Sequence, residues 1–278
     1  MFELRPPEDD GLYIPEPVGE WARDKHYFLR RYIDAFTTSM KSKRWSSLHY
    51  IDLFAGPGIV RLQDSGDLDW GSPLIAAQTP NPFHGLHFCE LEPHSYEALR
   101  QRVARIPSGK EPQILHGDAN EKVGDIAVKI PTGSLSLAFL DPTGLHLDFE
   151  TLRVLAVNRV DLIIFFPDHL DALRNCQYVY RDDPSSNLDR VLGPGADWRA
   201  ALDQASKRQW AQVLRELYCQ QIRQLGYTEF AFERIRAKGH PLYLLIFCSQ
   251  HPVAAKLWRG VSLQQPNGQR TFDFNARG

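Results

Sequence analysis

Apolar strand patterns alternate with helical patterns along the middle of the chain, and this alternation restricts the possible folds more than any other feature. Runs typical of strands occupy residues 48–54, 86–90, 112–118, 134–141 and 161–167. Between them, residues 94–106 and 148–157 carry apolar side chains at helical spacing. Strands that are apolar along their whole length are typical of parallel sheets, whose two faces are both covered. The alternation therefore predicts an α/β fold, with helices on both faces of a parallel sheet.

Both ends of the chain add to this core. Residues 1–19 are rich in proline and predict an extended arm, whereas residues 20–36 have the spacing of an amphipathic helix. Apolar strands at 230–236 and 243–249 flank the turn Lys-Gly-His-Pro, which predicts a hairpin. The sheet is therefore expected to be mostly parallel, Rossmann-like and seven-stranded, and to end in an antiparallel hairpin.

One segment interrupts the alternation. Residues 168–200 contain the turn-rich sequences RDDPSSN and GPGADW, and a helix is predicted after them at 203–225. We interpret the segment as an inserted cap or lid. The expected organisation is a single domain over residues 20–278, with this insertion and the N-terminal arm as additions.

Composition excludes several classes of protein. The chain has 278 residues, of which 43% are hydrophobic and 24% charged, as in ordinary globular proteins. There is no apolar run long enough to span a membrane and no basic start followed by an apolar segment, so we expect a cytoplasmic protein without membrane contact. The cysteines at 89, 176, 219 and 248 lack the spacing of a metal site, and neither metal nor disulfide is expected.

Basic residues are concentrated in two segments, although the net charge is only −2. Residues 20–45 carry seven basic and three acidic side chains, and residues 199–238 carry eight and four, so each segment has a charge of +4. If the two segments share one face, they form a basic patch suited to nucleic acid. Alternatively, both are solvated helix surfaces.

A glycine-rich turn follows the first predicted strand. The sequence from Tyr50 to Gly58 is YIDLFAGPG, so an apolar strand leads directly into Gly56 and Gly58. Glycine lets the backbone turn sharply and approach a ligand closely. Ligands of such sheets lie outside the carboxyl ends of the strands. The pattern alone is equally compatible with a tight turn that binds nothing.

Acidic side chains end the next two strands. Glu90 can accept hydrogen bonds from both hydroxyls of a ribose, and Asp118 can accept one from an adenine amino group. Each carboxylate alone could instead be a helix N-cap or a surface charge. Together with the glycine turn, they predict a nucleoside site across three strand ends.

The turn does not suit a dinucleotide. A dinucleotide site requires a third glycine, but Arg61 stands at that position. The next helix starts late, with Ser72 as the expected N-cap and Pro73 after it, so a pyrophosphate would lack its usual helix N-terminus. Asp52 adds negative charge before the turn. S-adenosylmethionine, which is cationic and has no phosphate, fits these features better than NAD.

These motifs resemble those of the class I S-adenosylmethionine-dependent methyltransferases. The sequences D-x-F-A-G-P-G, FCELEP, HGDAN and FLDPTG are similar to their first four motifs. More closely, the chain resembles the prokaryotic three-Cys-motif partner protein family. That resemblance rests on W-x-x-x-K at Trp21 and Lys25, YIDLFAGPG at 50–58, GSPL at 71–74, GDAN at 117–120 and DPTG at 141–144. The resemblance implies a partner protein that carries three cysteines.

The resemblance also implies which residues bind S-adenosylmethionine. The implied set is Asp52, Phe54, Ala55, Gly56, Gly58, Glu90, Leu91, Gly117, Asp118, Ala119 and Asp141. Within it, Asp52 and the glycine turn would line the methionine end, Glu90 would take the ribose, and Asp118 the adenine. Asp141 would lie beside the transferred methyl group.

Catalytic candidates follow the fourth and fifth strands. Asp141 could orient an acceptor amine or hydroxyl, or only cap the next helix. Asp168 and His169 follow directly after a strand and could act as a general base pair, or be ordinary loop residues. Thr143 and Gly144 stand where methyltransferases of bases carry a proline and an aromatic residue, so base stacking by that route is lost.

Acceptor-binding candidates are Lys25, Ser72, Thr143 and His146. Lys25 lies on an otherwise apolar helix and either reaches the site or is solvated. We predict a methyltransferase that acts on a nucleobase or another amine or hydroxyl group. The alternatives are a methyltransferase of proteins, peptides or small molecules, and a cofactor-binding module without turnover.

Overall fold

The computed structural model describes residues 2–106 and 111–263. Its strands are β1 (Leu48–Asp52), β2 (Ile59–Arg61), β3 (Leu68–Trp70), β4 (Gly85–Glu90), β5 (Gln113–His116), β6 (Leu135–Leu140), β7 (Val160–Phe166), β8 (Glu229–Ala237) and β9 (His240–Ser249). Its α-helices are α1 (Trp21–Met40), α2 (Ser72–Ala77), α3 (Pro93–Ala104), α4 (Ala119–Ala127), α5 (Phe149–Ala156), α6 (Leu173–Asn175), α7 (Asn187–Leu192), α8 (Trp198–Asp203), α9 (Trp210–Gln224) and α10 (Pro252–Ser262).

Seven strands form one sheet in the order β5-β4-β1-β6-β7-β9-β8. Neighbouring strands from β5 to β7 are parallel, and β9 runs antiparallel to both of its neighbours. The chain moves outward from β1 through β4 to β5, and then returns to the other side of β1 with β6. This is the Rossmann-like strand order of the class I methyltransferase fold, and it confirms the predicted fold class.

The hairpin of β8 and β9 closes through a two-residue turn. Ala237 is paired with His240, and the intervening Lys238 and Gly239 both have positive φ, at 49° and 83°. Turns with two such residues match the twist of antiparallel strands. The predicted C-terminal hairpin is therefore confirmed.

Each face of the sheet has its own hydrophobic core. On one face, side chains of α4, α5, α7, α8 and α9 pack together, with Leu152, Trp198 and Tyr218 fully buried. On the other, α1, α2, α3 and α10 contribute a second cluster that includes Phe36 and Trp258. Fully burying a large apolar side chain contributes roughly 1.5–3 kcal/mol, so the two cores fix the sheet between helical layers.

The two basic segments do not form one helical face. Helix α1 packs in one core and α9 in the other, so the two helices lie on opposite faces of the sheet. Several of the cations are also ion-paired: Arg23 with Asp67, and Arg199 with Asp189. Helices α1 and α9 therefore share no basic face, although β8, which ends the second basic segment, contacts α1.

The connection from the glycine turn to α2 differs from the prediction. Strands β2 and β3 form a small antiparallel hairpin there. Helix α2 has Gly71 as its N-cap, so the prediction of Ser72 in that role is wrong. Gly71 donates a hydrogen bond of 2.8 Å to the Gly58 carbonyl oxygen. A Cβ on Gly71 would lie 3.1 Å from the backbone of Gly58, so a larger residue there would require a small backbone shift.

The segment predicted as a turn-rich insertion is mostly helical. Two π-helical stretches, Asp168–Ala172 and Cys176–Tyr180, flank α6. Helix α7 then packs against α5 and α9, with Leu188 and Val191 buried. The helix predicted at 203–225 corresponds to α9, which begins seven residues later than predicted, after the short 3-10 helix Lys207–Gln209.

The N-terminal arm runs across the glycine-turn side of the fold. Val18 forms an isolated parallel bridge with Leu62, and Asp10 forms an ion pair with the buried Arg102 of α3.

In the described part of the chain, every helix is too short or too polar to cross a membrane.

Candidate cofactor and acceptor site

The carboxyl ends of five parallel strands meet at one edge of the sheet. Asp52 ends β1 and Glu90 ends β4, while Asp118, Asp141 and Asp168 follow β5, β6 and β7 within two residues. The strand order reverses at β1, and ligands of open α/β sheets bind at such a switch point. The sequence motifs therefore converge at the position where a ligand is expected.

The glycine turn adopts backbone angles that favour glycine. Gly56 and Gly58 have φ of +63° and +87°. At Gly58, a Cβ would also lie 2.9 Å from the side chain of Leu74, whereas at Gly56 it would meet nothing within 4 Å. The first glycine thus leaves open space at the sheet edge, and the second lets α2 pack closely.

Glu90 holds the turn in place. One of its carboxylate oxygens accepts a hydrogen bond of 2.7 Å from Gly56 N, and the other accepts one of 2.8 Å from Glu92 N. Burial raises the pKa of this carboxyl above its ordinary value. Ala55 N also donates to the Cys89 carbonyl oxygen at 3.0 Å, which ties the turn to β4. The adjacent Leu91 is 64% exposed and forms an apolar surface beside this carboxylate.

Asp118 is the N-cap of α4 and accepts a hydrogen bond of 2.7 Å from Asn120 N. The capping role considered from the sequence is therefore realised. Gly117 N donates to the Glu90 carbonyl oxygen at 3.0 Å, and Ala119 is buried at the start of the helix. These bonds place Asp118 next to Glu90 on the same edge.

Asn120 joins two of the site loops, a role that sequence reasoning missed. Its side chain donates to the His146 carbonyl oxygen at 2.9 Å and accepts from Asp148 N at 3.0 Å and the Thr151 hydroxyl at 2.7 Å. The loop after β6 is thereby fixed to the start of α4. An asparagine after the predicted adenine carboxylate carried no sequence signal for this contact.

Asp52 is fully buried. It accepts hydrogen bonds from the Ser72 hydroxyl and from Phe54 N, the latter at 3.3 Å, and the Tyr50 hydroxyl lies 3.4 Å away. Burial raises the pKa of its carboxyl to about 7, although these hydrogen bonds oppose the rise, and the nearby Asp141 increases it. Ser72 therefore supports the carboxylate of β1 instead of capping its own helix.

Lys25 and Asp141 form a buried ion pair. Their side chains are only 8% and 17% exposed. The Lys25 ammonium also lies over three aromatic rings, 4.6 Å from Trp21, 5.3 Å from Phe165 and 5.6 Å from Tyr243. Contacts of this length between an ammonium and ring faces are attractive. The alternative that Lys25 is a solvated lysine is therefore wrong.

Asp168 is the counter-ion of Arg234 on β8. One guanidinium nitrogen donates to both of its oxygens, at 2.6 and 2.8 Å, and Asp168 is fully buried. The same nitrogen lies 3.3 Å from His169 Nδ1, which is also 3.2 Å from an Asp168 oxygen, so His169 belongs to the same polar cluster. Arg234 was missed because it follows Asp168 by 66 residues.

Thr143 and His146 are exposed on the loop after β6. The loop is held by Asp171, which accepts hydrogen bonds from Leu145 N at 3.0 Å and from the Tyr180 hydroxyl at 2.6 Å. Burial and the bond to Asp171 raise the pKa of Tyr180 to about 12. The helical segment after β7 is thus connected directly to the loop that carries Asp141.

No protein-family model matches the sequence, and no curated protein matches it significantly. Among solved structures, protein LPL1258 from Legionella pneumophila is 14% identical with a TM-score of 0.49, over 90% of this chain and 94% of that chain. Trm1 from Pyrococcus horikoshii, in complex with S-adenosyl-L-methionine, is 12% identical with a TM-score of 0.42, over 86% of this chain and 58% of that chain. An O-methyltransferase from Bacillus cereus, in complex with SAH, is 9% identical with a TM-score of 0.43, over 81% and 80%. Values this low identify no family for this chain.

Proposed function

We propose that this protein is an S-adenosylmethionine-dependent methyltransferase. The observation that carries the proposal is the hydrogen bond between Gly56 N and the Glu90 carboxylate, at the point where the strand order reverses. It joins an open glycine turn to a carboxylate at the end of the neighbouring strand. A nucleoside at this edge would have its ribose hydroxyls within reach of that carboxylate.

The residues present fit a cationic ligand without phosphate. The hairpin of β2 and β3 separates the glycine turn from α2, and Arg61 on β2 is paired with Asp9 of the arm. No long helix starts at the turn to receive a pyrophosphate. Instead, the carboxylate at this edge is the partly exposed Glu90, while Asp52 is fully buried. This combination favours S-adenosylmethionine over NAD.

Each part of the cofactor would have its own protein group. Glu90 would accept the ribose hydroxyls, Asp118 the adenine amino group, and the turn at Ala55 to Gly58 with Asp52 would hold the methionine end. The bound cofactor supplies a methyl group already activated by its positively charged sulfur. Among the described residues Asp52 has no cationic partner, so an ammonium placed beside it would stabilise its charged form.

Asp141 and Lys25 would handle the acceptor. The Asp141 carboxylate would orient an amine or hydroxyl and take up its proton, while Lys25 limits the negative charge there. The aromatic surfaces of Trp21, Phe165 and Tyr243 gather at the same place. Trp21 is the partly exposed ring among them and would contact a planar acceptor, whereas Phe165 and Tyr243 are buried behind Lys25. We therefore retain a nucleobase or another amine or hydroxyl group as the acceptor class.

The three-Cys-motif partner type belongs to this proposal. Two contacts support it, because they give physical roles to motifs that define the resemblance. Lys25 of W-x-x-x-K pairs with Asp141 of DPTG, and Gly71 of GSPL donates its hydrogen bond to Gly58 of the glycine turn. A partner protein that carries three cysteines would then be expected to associate with the chain.

The first test is calorimetric titration with S-adenosylmethionine. We expect binding in the micromolar range, weakened about tenfold or more by Glu90→Ala, because the ribose loses its acceptor. Glu97→Ala, at an exposed position on α3, is the matched control and should bind like the wild type. NAD should not bind. Wild-type protein that binds NAD but not S-adenosylmethionine would contradict the proposal.

The acceptor is then sought with methyl-labelled cofactor. The purified protein is incubated with a cell extract, which is separated into RNA, DNA, protein and small-molecule fractions. Label in nucleic acid supports the nucleobase proposal, whereas label in protein or small molecules favours the alternative acceptors. Cofactor binding without label in any fraction would favour a module that lacks turnover.

A further inference from the structure

A second cavity lies at the opposite edge of the sheet, where β6 and β7 begin. It has a volume of about 580 Å³, which is within the range of small-molecule sites. Its walls come from the C-terminal end of α1, the loop after it, the first residues of β6 and β7, and the N-terminal end of α10. Because the motifs described above lie at the carboxyl ends of the strands, this cavity is separate from the proposed cofactor site.

The interior of the cavity is mainly apolar. The apolar lining residues are Phe36, Met40, Leu135, Val160, Val253, Ala254 and Leu257. Asp161 is the one acidic residue among the described lining residues, and both of its oxygens accept hydrogen bonds, from the Ser249 hydroxyl at 2.6 Å and the Tyr32 hydroxyl at 3.0 Å. The cavity therefore offers an apolar body a favourable environment, with its only carboxylate already engaged.

The mouth of the cavity is cationic. Lys43, Arg44 and Arg159 line it and are exposed, and none of them pairs with a carboxylate within the described residues. Lys43 and Arg44 belong to the first basic segment, which the proposed function leaves largely unused. The start of α10 lies on the same cavity and adds the positive end of an eleven-residue helix.

One hydrogen-bond donor in the lining lacks a partner. The indole nitrogen of Trp45 is buried and makes no hydrogen bond to any described residue. The Arg159 guanidinium lies over the same indole ring, 5.7 Å from its centre. A buried donor without an acceptor is costly, and an anion that reached the indole N–H would relieve that cost. The unpartnered donor of Trp45 and the cation of Arg159 together favour contact with a negatively charged group.

We propose that this cavity binds a small apolar organic anion, with the anionic group at Trp45 and Arg159 and the apolar body between α1 and α10. The ligand class is a monocarboxylate or sulfonate with an aryl or short alkyl body. A neutral apolar compound would leave the Trp45 donor unsatisfied and gain nothing from the three cations. The site is independent of methyl transfer, so it would exist even if the proposed function were wrong.

The test is a fluorescence titration with 8-anilinonaphthalene-1-sulfonate, an apolar aryl sulfonate. We expect saturable binding at one site, displaced by octanoate and not by octanol at equal concentration. Arg44→Glu and Arg159→Glu should each weaken binding about fivefold or more, because each reverses a charge at the mouth. Arg208→Glu, an exposed charge reversal on the other face, is the matched control.

Three results would overturn the proposal. The first is equal dye binding by the wild type and both charge-reversal variants of the mouth. The second is displacement by octanol as effective as that by octanoate, which would indicate an apolar surface without anion preference. The third is displacement by S-adenosylmethionine, which would locate the dye at the carboxyl edge. Trp45→Phe, which keeps an aromatic ring and removes the donor, provides an independent variant and should weaken binding about threefold.

Discussion

The Arg102 guanidinium donates a hydrogen bond of 2.8 Å to the carbonyl oxygen of Pro57, the residue between the two glycines of the turn. The same side chain donates to both oxygens of Asp10, at 3.0 and 2.8 Å, and to the carbonyl oxygen of Tyr13 at 3.1 Å. Arg102 is buried, with only 3% of its surface exposed. One guanidinium therefore connects α3, the N-terminal arm and the glycine turn.

Replacing Arg102 should loosen both the arm and the turn. In Arg102→Lys, a single ammonium replaces the planar donor fork, and we expect cofactor binding to weaken about tenfold. Limited proteolysis should also cut the arm faster. Arg105→Lys is the matched control, since Arg105 contacts Asp10 from an exposed position. Unchanged affinity and unchanged proteolysis in Arg102→Lys would show that the arm does not support the turn.

Gly58→Ala should damage the turn more than an ordinary glycine substitution. The new Cβ would lie 2.9 Å from the Leu74 side chain in a backbone with φ of +87°. We expect a loss of about 2 kcal/mol in unfolding free energy and weaker cofactor binding. Gly66→Ala provides the control, because Gly66 has a similar φ of +75° and open space around it. Equal losses in urea denaturation of the two variants would exclude a role for the contact with Leu74.

Lys25→Met should abolish methyl transfer while cofactor binding persists. The substitution leaves Asp141 without its cation, so we expect transfer to fall about a hundredfold and unfolding free energy to fall by about 3 kcal/mol. The double variant Lys25→Met with Asp141→Asn should regain much of the stability and none of the activity. Thermal unfolding and labelled transfer measure the two effects. A Lys25→Met variant with full activity would remove Lys25 from the acceptor site.

The stability of the wild type should decrease as pH rises through about 6 because of Asp161. Burial raises the pKa of this carboxyl from 3.8 to about 6, so the folded state favours its protonated form. Asp161 therefore contributes about 3 kcal/mol to the free energy of unfolding at pH values below 3.8, the pKa of the carboxyl in the unfolded chain. This contribution is lost as pH rises through about 6, the pKa of the carboxyl in the folded protein. Asp161→Asn should lose this contribution and keep the similar one from Asp52, whose pKa burial raises to about 7.

The control for this experiment is Asp125→Asn, because Asp125 is exposed on α4. Urea unfolding of the three proteins at pH 4, 5, 6, 7 and 8 gives the comparison. The difference between the wild type and Asp161→Asn should change with pH, whereas the difference between the wild type and Asp125→Asn should stay constant. Parallel curves for all three proteins would disprove the assignment to Asp161.

The parallel sheet and its carboxyl edge were predictable because each strand is apolar throughout and ends in a distinctive residue. Asp52, Glu90 and Asp141 stand at or just after strand ends, so their shared edge follows from strand direction alone. The order of the strands in the sheet places these strand ends next to one another, which confirms the predicted shared edge. The roles of these residues in binding and catalysis stay predictions.

Contacts between distant segments could not be predicted in this way. Lys25 precedes Asp141 by 116 residues and Arg234 follows Asp168 by 66, and each pair depends on how a helix or hairpin packs across the sheet. The hairpin of β2 and β3 was missed because its strands are only three residues long. Periodicity is uninformative over such short segments.

The two outer strands determine how the sheet can associate with other sheets. Strand β5 has only four residues, while β8 has nine and carries Glu229, Glu233, Arg234 and Arg236. Charged side chains along an open edge oppose pairing with a strand of another molecule. The Arg215 guanidinium also covers the ring of Phe232, the partly exposed aromatic residue of that strand. Within residues 2–106 and 111–263, β8 is thus a long edge strand whose charged side chains oppose edge-to-edge aggregation.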